Sequence, residues 1–343
     1  MRMPSRFAAA VALLAVAAPL AAQTPPYHLA KQIVLGGEGG WDYLIVDGVG
    51  HRLYVSHGTR VEVVDLVGDT AVGAVLNTPG VHGIAFAPDL GRGFTSNGRD
   101  STVTIFDLAS LATIGTVNIG ARNPDAIIYD PASHRVFTMN GGSGNATAIE
   151  AATGAVAGTV ALNGRPEFAV SDGRGRVYVN IEDSSAVVAF NARTLQVEGR
   201  WPLAPCEGPS GLAMDREHRR LFSVCGNALM AVMDADNGRI VATLPIGRGV
   251  DATAFDPGTG FAFASCGADS VLTVVHEDDP GHYTVVANVP TRRGARTMAL
   301  DPTTHRVFLS TAEFGPAPAP TPERPRPRPS VLPGSFRVVV LER

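Results

Sequence analysis

Short apolar and β-branched runs separated by turn residues occupy almost the whole chain. VEVVD, VTIFD and VVAFN are three such runs, and Gly, Asp, Asn or Pro stands between them and their neighbours. Runs of this length and composition, bounded by residues that favour turns, are typical of β-strands rather than helices. The pattern therefore predicts an all-β protein.

The strand pattern repeats seven times with a period of about 42 residues, which is in the range of β-propeller blades. Each unit has a first apolar strand, an Asp-Pro or Gly-rich turn, and second, third and fourth strands. Four strands make one propeller blade. The seven units begin near Trp41, Val81, Pro124, Pro166, Pro209, Val250 and Ala295. We therefore predict a seven-bladed β-propeller with four-stranded antiparallel blades, forming a single domain over residues 23–343.

The last unit ends after its third strand, and a spare strand lies at the other end of the propeller sequence, at residues 28–35 (HLAKQIVL). This strand is expected to complete blade seven and close the ring, which removes an exposed sheet edge. A proline-rich segment, residues 315–334, interrupts blade seven between its second and third strands. Its proline density is incompatible with a sheet strand. It is interpreted either as a surface excursion or as a lid or docking arm edged by Arg324, Arg326 and Arg328.

The N-terminal residues resemble an export signal. Arg2 and Arg6 precede an apolar run from Phe7 to Leu20, and small residues follow it, with cleavage expected near Ala22. The run is too short to span a bilayer, which takes about 20 apolar residues. Residues 1–22 are thus predicted to be a signal peptide, and the rest a periplasmic or secreted protein without a membrane span. We expect a monomer.

Charge and motifs exclude several function classes. The formal net charge is −4, which disfavours binding to a phosphate backbone, so nucleic acid is not the expected partner. The chain has no nucleophile elbow, zinc helix, haem site or P-loop sequence. Any functional site must therefore come from residues that the propeller brings together.

One position of the repeat is polar in all seven units but varies in charge. It lies just before each innermost strand, where the chain borders the central channel. The residues at this position, here called the mouth ring, are Asp42, His82, Asp125, Glu167, Ser210, Asp251 and Arg296. Their order predicts that Arg296 lies between Asp251 and Asp42, and that His82 lies between Asp42 and Asp125. Asp125 and Glu167 would then be neighbours without a basic partner.

Three interpretations of the mouth ring remain open. It could be a solvated lining, or it could bind a small molecule or protein partner. It could also hold a divalent cation such as Ca²⁺ through Asp125 and Glu167, because hard cations prefer oxygen ligands. With a metal present, His82 is the candidate general base. His82 is flanked by two acids, so its pKa is expected to be raised.

Two further sets of polar residues follow from the repeat. The ends of the second strands could place an outer shell around the mouth, for which the candidates are His57, Asn97, Asn180 and Glu313. The alternative for each of them is a turn role, because Asn before Gly is an ordinary turn signal. Four histidines share a turn position on the opposite face, next to an arginine: His51, His134, His218 and His305. Four copies at one register indicate a turn role rather than four ligands.

The three cysteines are compatible with one disulfide bond in an exported protein. Cys206 precedes blade five and Cys225 ends the second strand of that blade. We predict a Cys206–Cys225 disulfide, with Cys266 free.

The phrases RLYVSHG…VEVVD and RVYVNIED…VVAFN resemble the YVTN-repeat (YncE-like) propellers of exported bacterial proteins, over essentially the whole mature chain. The resemblance implies the propeller fold and leaves the function open. The leading hypothesis is a non-catalytic binding or scaffold protein of the cell envelope, which takes a small molecule, metal or envelope protein at the mouth. The alternatives are a metal-dependent hydrolase of lactonase type and, by family analogy, a single-stranded-DNA-binding protein.

Overall fold

Seven four-stranded antiparallel sheets make up the protein in a computed structural model that describes residues 26–321, 327 and 329–343. Six sheets are each formed by one repeat, and the seventh combines the last repeat with the strand His28–Val34. The first strand of each sheet packs against the first strands of its neighbours around the ring. The prediction of an all-β, seven-bladed propeller is thus confirmed. The predicted signal peptide and Arg324, Arg326 and Arg328 lie outside the described residues.

The strands of all blades follow one order from the channel outwards. The first strands are Trp41–Asp47, Val81–Ala87, Pro124–Asp130, Pro166–Ser171, Pro209–Asp215, Val250–Asp256 and Thr297–Asp301. The second strands are Arg52–His57, Arg92–Asn97, Arg135–Asn140, Arg176–Ile181, Arg220–Cys225, Phe261–Cys266 and Arg306–Thr311. The third strands are Arg60–Asp65, Thr102–Asp107, Asn145–Glu150, Ala186–Asn191, Leu229–Asp234, Val271–Asp279 and Arg337–Glu342. The outermost strands are Thr70–Val75, Thr113–Asn118, Val156–Ala161, Val197–Pro202, Ile240–Pro245, His282–Pro290 and His28–Val34.

Helical structure in the described residues is confined to two short 3₁₀ turns, Pro88–Leu90 and Glu182–Ser184. Among these residues, no helix is long and apolar enough to cross a membrane.

The core lies between the blades. Second and third strands are buried along nearly their whole length because neighbouring blades cover both faces, whereas the outermost strands expose alternate residues. Aromatic side chains join adjacent blades. Phe137 of blade three meets Phe190 of blade four with ring centroids 5.3 Å apart, and Phe222 of blade five stacks on Phe255 of blade six at 5.1 Å. The ring is therefore a rigid frame for its channel.

Arginines at the start of the second strands fasten several blades to the next one, whereas Arg176 of blade four pairs with Glu198 of its own blade. Arg52, Arg92 and Arg135 donate from their guanidinium groups to backbone carbonyls in the turn after the third strand of the following blade, and Arg306 reaches blade one from blade seven in the same way. These bonds satisfy carbonyl groups that the strand ladders leave unpaired. The repeated arginine is therefore a structural residue.

The ring closes as predicted. His28–Val34 pairs antiparallel with Arg337–Glu342 and becomes the outer strand of blade seven. Tyr27 is buried against Phe263, and its hydroxyl donates to the carbonyl of His305 at 2.9 Å. Lys31 pairs with Asp69 of blade one, which joins the closing strand to the next blade.

The proline-rich segment is an excursion between the second and third strands of blade seven, as expected. Its ends meet, because Phe314 bridges Val331 and the amide of Gly315 donates to the carbonyl of Ser330 at 2.8 Å.

The predicted disulfide joins Cys206 and Cys225, and Cys266 is free and buried. The bond ties the segment before blade five to the end of that blade's second strand. Its sequence separation is 19 residues. It closes a loop for which disulfides typically contribute about 3 kcal/mol.

Replacing both Cys206 and Cys225 by Ala is expected to lower the free energy of unfolding by about 3 kcal/mol. The measurement is urea denaturation under non-reducing conditions. Wild-type protein with a reductant is the control and should approach the double variant. Titration of three free thiols in unreduced, unfolded protein would contradict the disulfide; one is expected.

Candidate functional site

A cavity of about 440 Å³ opens at one end of the channel, and the whole mouth ring lines it. Its members are Asp42, His82, Asp125, Glu167, Ser210, Asp251 and Arg296, as the repeat alignment predicted. The prediction that these residues share one mouth agrees with the structure.

A β-bulge places the mouth-ring side chains of blades one to six. In blades one to six, the pairing of the first strand with the second is interrupted between strand positions one and four, for example between Trp41 and Leu44 and between Val81 and Ile84. A bulge leaves residues outside the ladder and re-aims their side chains. The second residue of each of these first strands, such as Asp42 or His82, falls within the interruption, and its side chain lines the cavity.

Serines of the second strands hold this bulged backbone in place. The amide of Asp42 donates to Ser56 Oγ at 3.1 Å, and the amide of Gly83 donates to Ser96 Oγ at 2.8 Å. Ser210 of the mouth ring itself donates to the backbone carbonyl of Asp251 at 2.9 Å. Ser210 is thus used to position its neighbour.

Two of the predicted charge relations hold. Arg296 donates to Asp251 at 2.5 Å. His82 Nδ1 lies 2.7 Å from Asp42 Oδ2 and 3.8 Å from Asp125 Oδ1. The hydrogen bond with Asp42, opposed by burial and aided by the charge of Asp125, raises the pKa of His82, as expected. The two acids therefore favour the protonated form of His82.

The expectation that Asp125 and Glu167 lack a basic partner is wrong. Arg165 extends over the cavity, and its guanidinium lies 3.2 Å from Glu167 and 2.9 Å from Glu182. A signal for Arg165 was present in the repeat. Its position precedes the first residue of each unit, where the other six units have Gly40, Gly80, Asn123, Gly208, Gly249 and Gly294. Most of those residues adopt positive φ, which favours glycine, so an arginine at this position is exceptional.

Three carboxyl groups of the mouth bind protons more strongly than usual. Burial, followed by the charge of Asp42, raises the pKa of Asp125 to about 6. Burial, followed by the charge of Asp125, raises the pKa of Glu167 to about 8. Burial raises the pKa of Asp251 to about 7, although Arg296 opposes that shift. Ionising all of these neighbouring carboxyl groups costs free energy, because like charges repel and the groups are buried. The arrangement therefore indicates a site that favours a positively charged ligand.

Two aromatic rings form the floor of the cavity. Tyr43 of blade one stacks on Phe168 of blade four, across the channel, with centroids 4.6 Å apart. The Tyr43 hydroxyl is shielded from solvent and has no hydrogen-bond partner. Burial and the charges of Asp125 and Asp42 raise the Tyr43 pKa. The mouth cavity therefore has, at its base, a tyrosine hydroxyl without a hydrogen-bond partner.

Sequence reasoning missed this floor, although a signal existed. The third position of each unit is small in five blades (Gly83, Ala126, Gly211, Ala252 and Thr297) and aromatic in two. Tyr43 and Phe168 are those two residues.

The carboxylates nearest to a metal-binding arrangement differ from the predicted pair. Ligand atoms of Asp42, His82 and Asp125 lie within 4.8 Å of one another, and Glu167 does not belong to this group. Of the two predicted metal ligands, Asp125 therefore belongs to this group. Glu167 instead pairs with Arg165.

The predicted outer shell does not form around the mouth. His57 is buried, faces Glu62 at 3.4 Å and packs against Phe336. Asn97 is buried and donates to Thr102 and Thr104 within its own blade. Asn180 is buried and donates to the carbonyls of Ser210 and Gly211 in the next blade. These side chains bind strand ends to one another.

Glu313, the fourth outer-shell candidate, is exposed and pairs with Arg337 at 2.7 Å. It lines a different depression, beside the base of the proline-rich segment. Glu182, which directly follows the second strand of blade four, does line the mouth.

An apolar cleft of about 490 Å³ adjoins the mouth. Trp41 and Phe314 lie on its walls together with Pro329 and Val331 from the proline-rich segment, and Arg296 lines both the cleft and the mouth. The mouth therefore continues sideways into an aromatic surface.

Of the opposite-face histidines, His51, His134 and His305 adopt positive φ, as a turn residue does. His305 contacts Asp256 at 2.7 Å, and His134 contacts Asp89 at 3.2 Å. His218 contacts two acids, Asp215 and Glu277.

No protein-family model matches this chain, and no curated protein matches its sequence. Solved structures share its fold. The RRP9 WD40 repeats align with a TM-score of 0.75 at 9% identity, covering 93% of this chain and 99% of that chain. A chain of the mitotic checkpoint complex aligns with a TM-score of 0.73 at 14% identity, covering 89% of this chain and 95% of that one.

A chain of hydrazine synthase from Kuenenia stuttgartiensis aligns with a TM-score of 0.68 at 16% identity, covering 79% of this chain and 92% of that chain. Identities this low establish the propeller fold alone. Propellers commonly bind partners, and function must be argued from the site.

Proposed function

We propose that this protein is an exported β-propeller of the YVTN-repeat type that binds a small organic cation at the channel mouth. The main support for this proposal is the excess of negative charge around one cavity. Five carboxyl groups, those of Asp42, Asp125, Glu167, Glu182 and Asp251, face two arginines and His82. With every acid ionised and His82 protonated, the mouth still has an excess of two negative charges.

The shape of the site supports an organic ligand rather than a bare ion. A cavity of about 440 Å³ is within the usual range for small-molecule sites. The stacked rings of Tyr43 and Phe168 form its base, and aromatic faces attract ammonium and guanidinium groups. The adjoining cleft with Trp41 and Phe314 would accept an apolar part of the same molecule.

Export is supported by the sequence of residues 1–22 and by the disulfide, since disulfides persist in oxidising compartments. A periplasmic or secreted location and a monomeric state are parts of the proposal. Single-stranded DNA is disfavoured as the ligand, because the excess negative charge of the mouth repels phosphate groups.

The binding test uses named amines as probes. Choline, agmatine and spermidine are titrated into wild-type protein at pH 8 and low salt, with melting temperature and calorimetric heat as readouts. At least one amine should bind the wild type. The Asp125→Asn/Glu167→Gln double variant should bind it at least about 100-fold more weakly, because two desolvated charge contacts are lost.

The matched control is the double variant Glu38→Gln/Asp100→Asn, which removes two exposed carboxylates from outside the cavity. It changes net charge equally and should bind like the wild type. Equal weakening in both double variants would attribute binding to overall charge. If none of the three amines binds the wild type or either double variant, the mouth ring is a solvated lining and the proposal fails.

A metal-dependent hydrolase of lactonase type is the second candidate, favoured by the grouping of Asp42, His82 and Asp125. The raised pKa of His82 favours its protonated form, which competes with proton acceptance and with metal binding. Metal analysis of chelator-free protein, with lactone hydrolysis assayed before and after chelation, separates the two candidates. Activity that disappears on chelation and in Asp42→Asn would support the hydrolase.

A further inference from the structure

Blade six carries an extension that the other blades lack. Its third and fourth strands, Val271–Asp279 and His282–Pro290, have nine residues each, whereas the other described third strands have six. The extra length forms a hairpin that leans on blade five, where Arg220 Nε donates to the carbonyl of Pro280 at 2.9 Å. The hairpin places Glu277 beside the turn between the first and second strands of blade five.

Three potential metal ligands meet at this contact, on the face opposite the mouth. His218 Nδ1 lies 2.7 Å from Asp215 Oδ2 and 3.6 Å from Glu277 Oε1, and ligand atoms of all three residues lie within 4.8 Å of one another. The side chains of Asp215 and Glu277 are 2% and 4% exposed. The imidazole of His218 is the open side of the cluster, with 44% of its surface exposed.

The Glu277 carboxylate is incompletely satisfied. Its Oε2 is buried and has no hydrogen-bond partner, and its Oε1 accepts from the Tyr283 hydroxyl at a long 3.3 Å. Burial, followed by the charge of Asp215, raises the pKa of Glu277. A buried carboxylate with an orphaned oxygen is costly unless a further positive group binds it.

The surrounding charges do not supply that group. Arg220 is the nearest guanidinium, but it is shared with Asp234 at 3.5 Å and with backbone carbonyls. Three carboxylates, those of Asp215, Asp234 and Glu277, thus lie near one arginine and the imidazole of His218. When His218 is neutral, the cluster has two negative charges in excess.

We propose that Asp215, His218 and Glu277 bind one divalent first-row transition-metal ion that clamps the blade-six hairpin to blade five. One imidazole nitrogen and two carboxylates suit Zn²⁺ or Mn²⁺, whereas Ca²⁺ prefers an all-oxygen set. A tetrahedral ion with bonds of about 2.1 Å separates its ligand atoms by about 3.4 Å. The nitrogen–oxygen separations of 2.7 and 3.6 Å bracket that value.

The site requires His218 to bind through Nδ1 and to keep its proton on Nε2. The competing arrangement is a protonated His218 that serves as a counter-ion between two acids. The same chain offers a matched comparison. His305 occupies the equivalent turn and contacts Asp256 at 2.7 Å, but it belongs to no group of three ligands among the described residues.

The test is titration of the chelator-treated full chain with ZnCl₂ and MnCl₂, read by calorimetry and by melting temperature. We expect one equivalent to bind at this site. Glu277→Gln and His218→Asn should each weaken that binding at least about tenfold, since loss even of a supporting group costs that much. His305→Asn and the mouth variant Asp125→Asn should retain it.

Glu277→Gln has a second signature. It removes an unsatisfied buried carboxylate, so the metal-free variant should melt above the metal-free wild type while its melting temperature no longer responds to added metal. The proposal is overturned if neither ion binds, or if binding is unchanged in Glu277→Gln and His218→Asn. It is also overturned if metal-free Glu277→Gln melts below the wild type and Zn²⁺ does not stabilise the wild type, because His218 is then a counter-ion. If Glu277→Gln does not fold, His218→Asn with the His305→Asn control decides.

Discussion

A chain that begins at residue 36 rather than residue 26 is expected to lose roughly 3–6 kcal/mol of stability. The truncation removes the closing strand, His28–Val34, and with it the buried side chains of Tyr27 and Ile33. Burying one such side chain contributes roughly 1.5–3 kcal/mol. The loss of pairing also leaves Arg337–Glu342 as an open sheet edge, so the truncated chain should aggregate.

Urea denaturation followed by the fluorescence of the two tryptophans measures this effect. Trp41 packs on Phe336 beside the closing strand, whereas Trp201 lies in blade four. In the shorter chain the Trp41 transition should come first, and in the control chain that begins at residue 26 the two transitions should coincide. A synthetic peptide of residues 26–35 should restore the coincidence. Identical unfolding midpoints for both chains would show that closure contributes no stability.

The blades could be predicted from sequence because each one repeats the same local chemistry. The fold and its closure followed from three features of the sequence: short β-branched runs, turns with Gly and Asp, and an unpaired strand at each end of the propeller sequence. The extension of blade six was not predicted. The stretch from His276 to His282 looks like a polar turn, but the strands continue to Asp279 and resume at His282, so that the turn itself is Pro280 and Gly281. Arg220 of the preceding blade holds this turn by donating to the carbonyl of Pro280.

The mouth ring was predictable from the repeat register, but its chemistry was only partly so. His82 and Arg296 pair with their neighbours as their order implies. Arg165 was overlooked because it stands one position before the aligned residue, and the Tyr43–Phe168 contact joins blades three apart. The outer shell failed for a physical reason: Asn97 and Asn180 are strand-end amides, and whether such an amide faces solvent or binds a neighbouring strand depends on tertiary packing.

The second large effect concerns pH. The ligand-free protein should lose about 5 kcal/mol of stability between pH 5 and pH 8, since each pKa unit corresponds to about 1.4 kcal/mol and water entering the open mouth screens part of the total. In the folded chain the pKa values of Glu167, Asp251 and Asp125 are about 8, 7 and 6, against ordinary values of 4.5, 3.8 and 3.8. Between those limits the folded protein holds protons that the unfolded chain has released. The contribution is complete below pH 4 and is lost as the pH rises through each folded-state pKa.

Urea unfolding at intervals of half a pH unit measures how the free energy of unfolding depends on pH. Glu167→Gln should flatten it most between pH 6 and pH 8, because Glu167 has the highest of the three values, and the variant should be more stable than the wild type at pH 8. Glu38→Gln removes an exposed carboxylate from the linker before blade one and should keep the wild-type profile. A cation bound in the mouth should also flatten the wild-type profile, because it replaces the bound protons. Wild-type stability that rises from pH 5 to pH 8 would mean that the mouth carboxylates are already ionised and fully compensated by Arg165, Arg296 and His82, and the case for a cationic ligand would be lost.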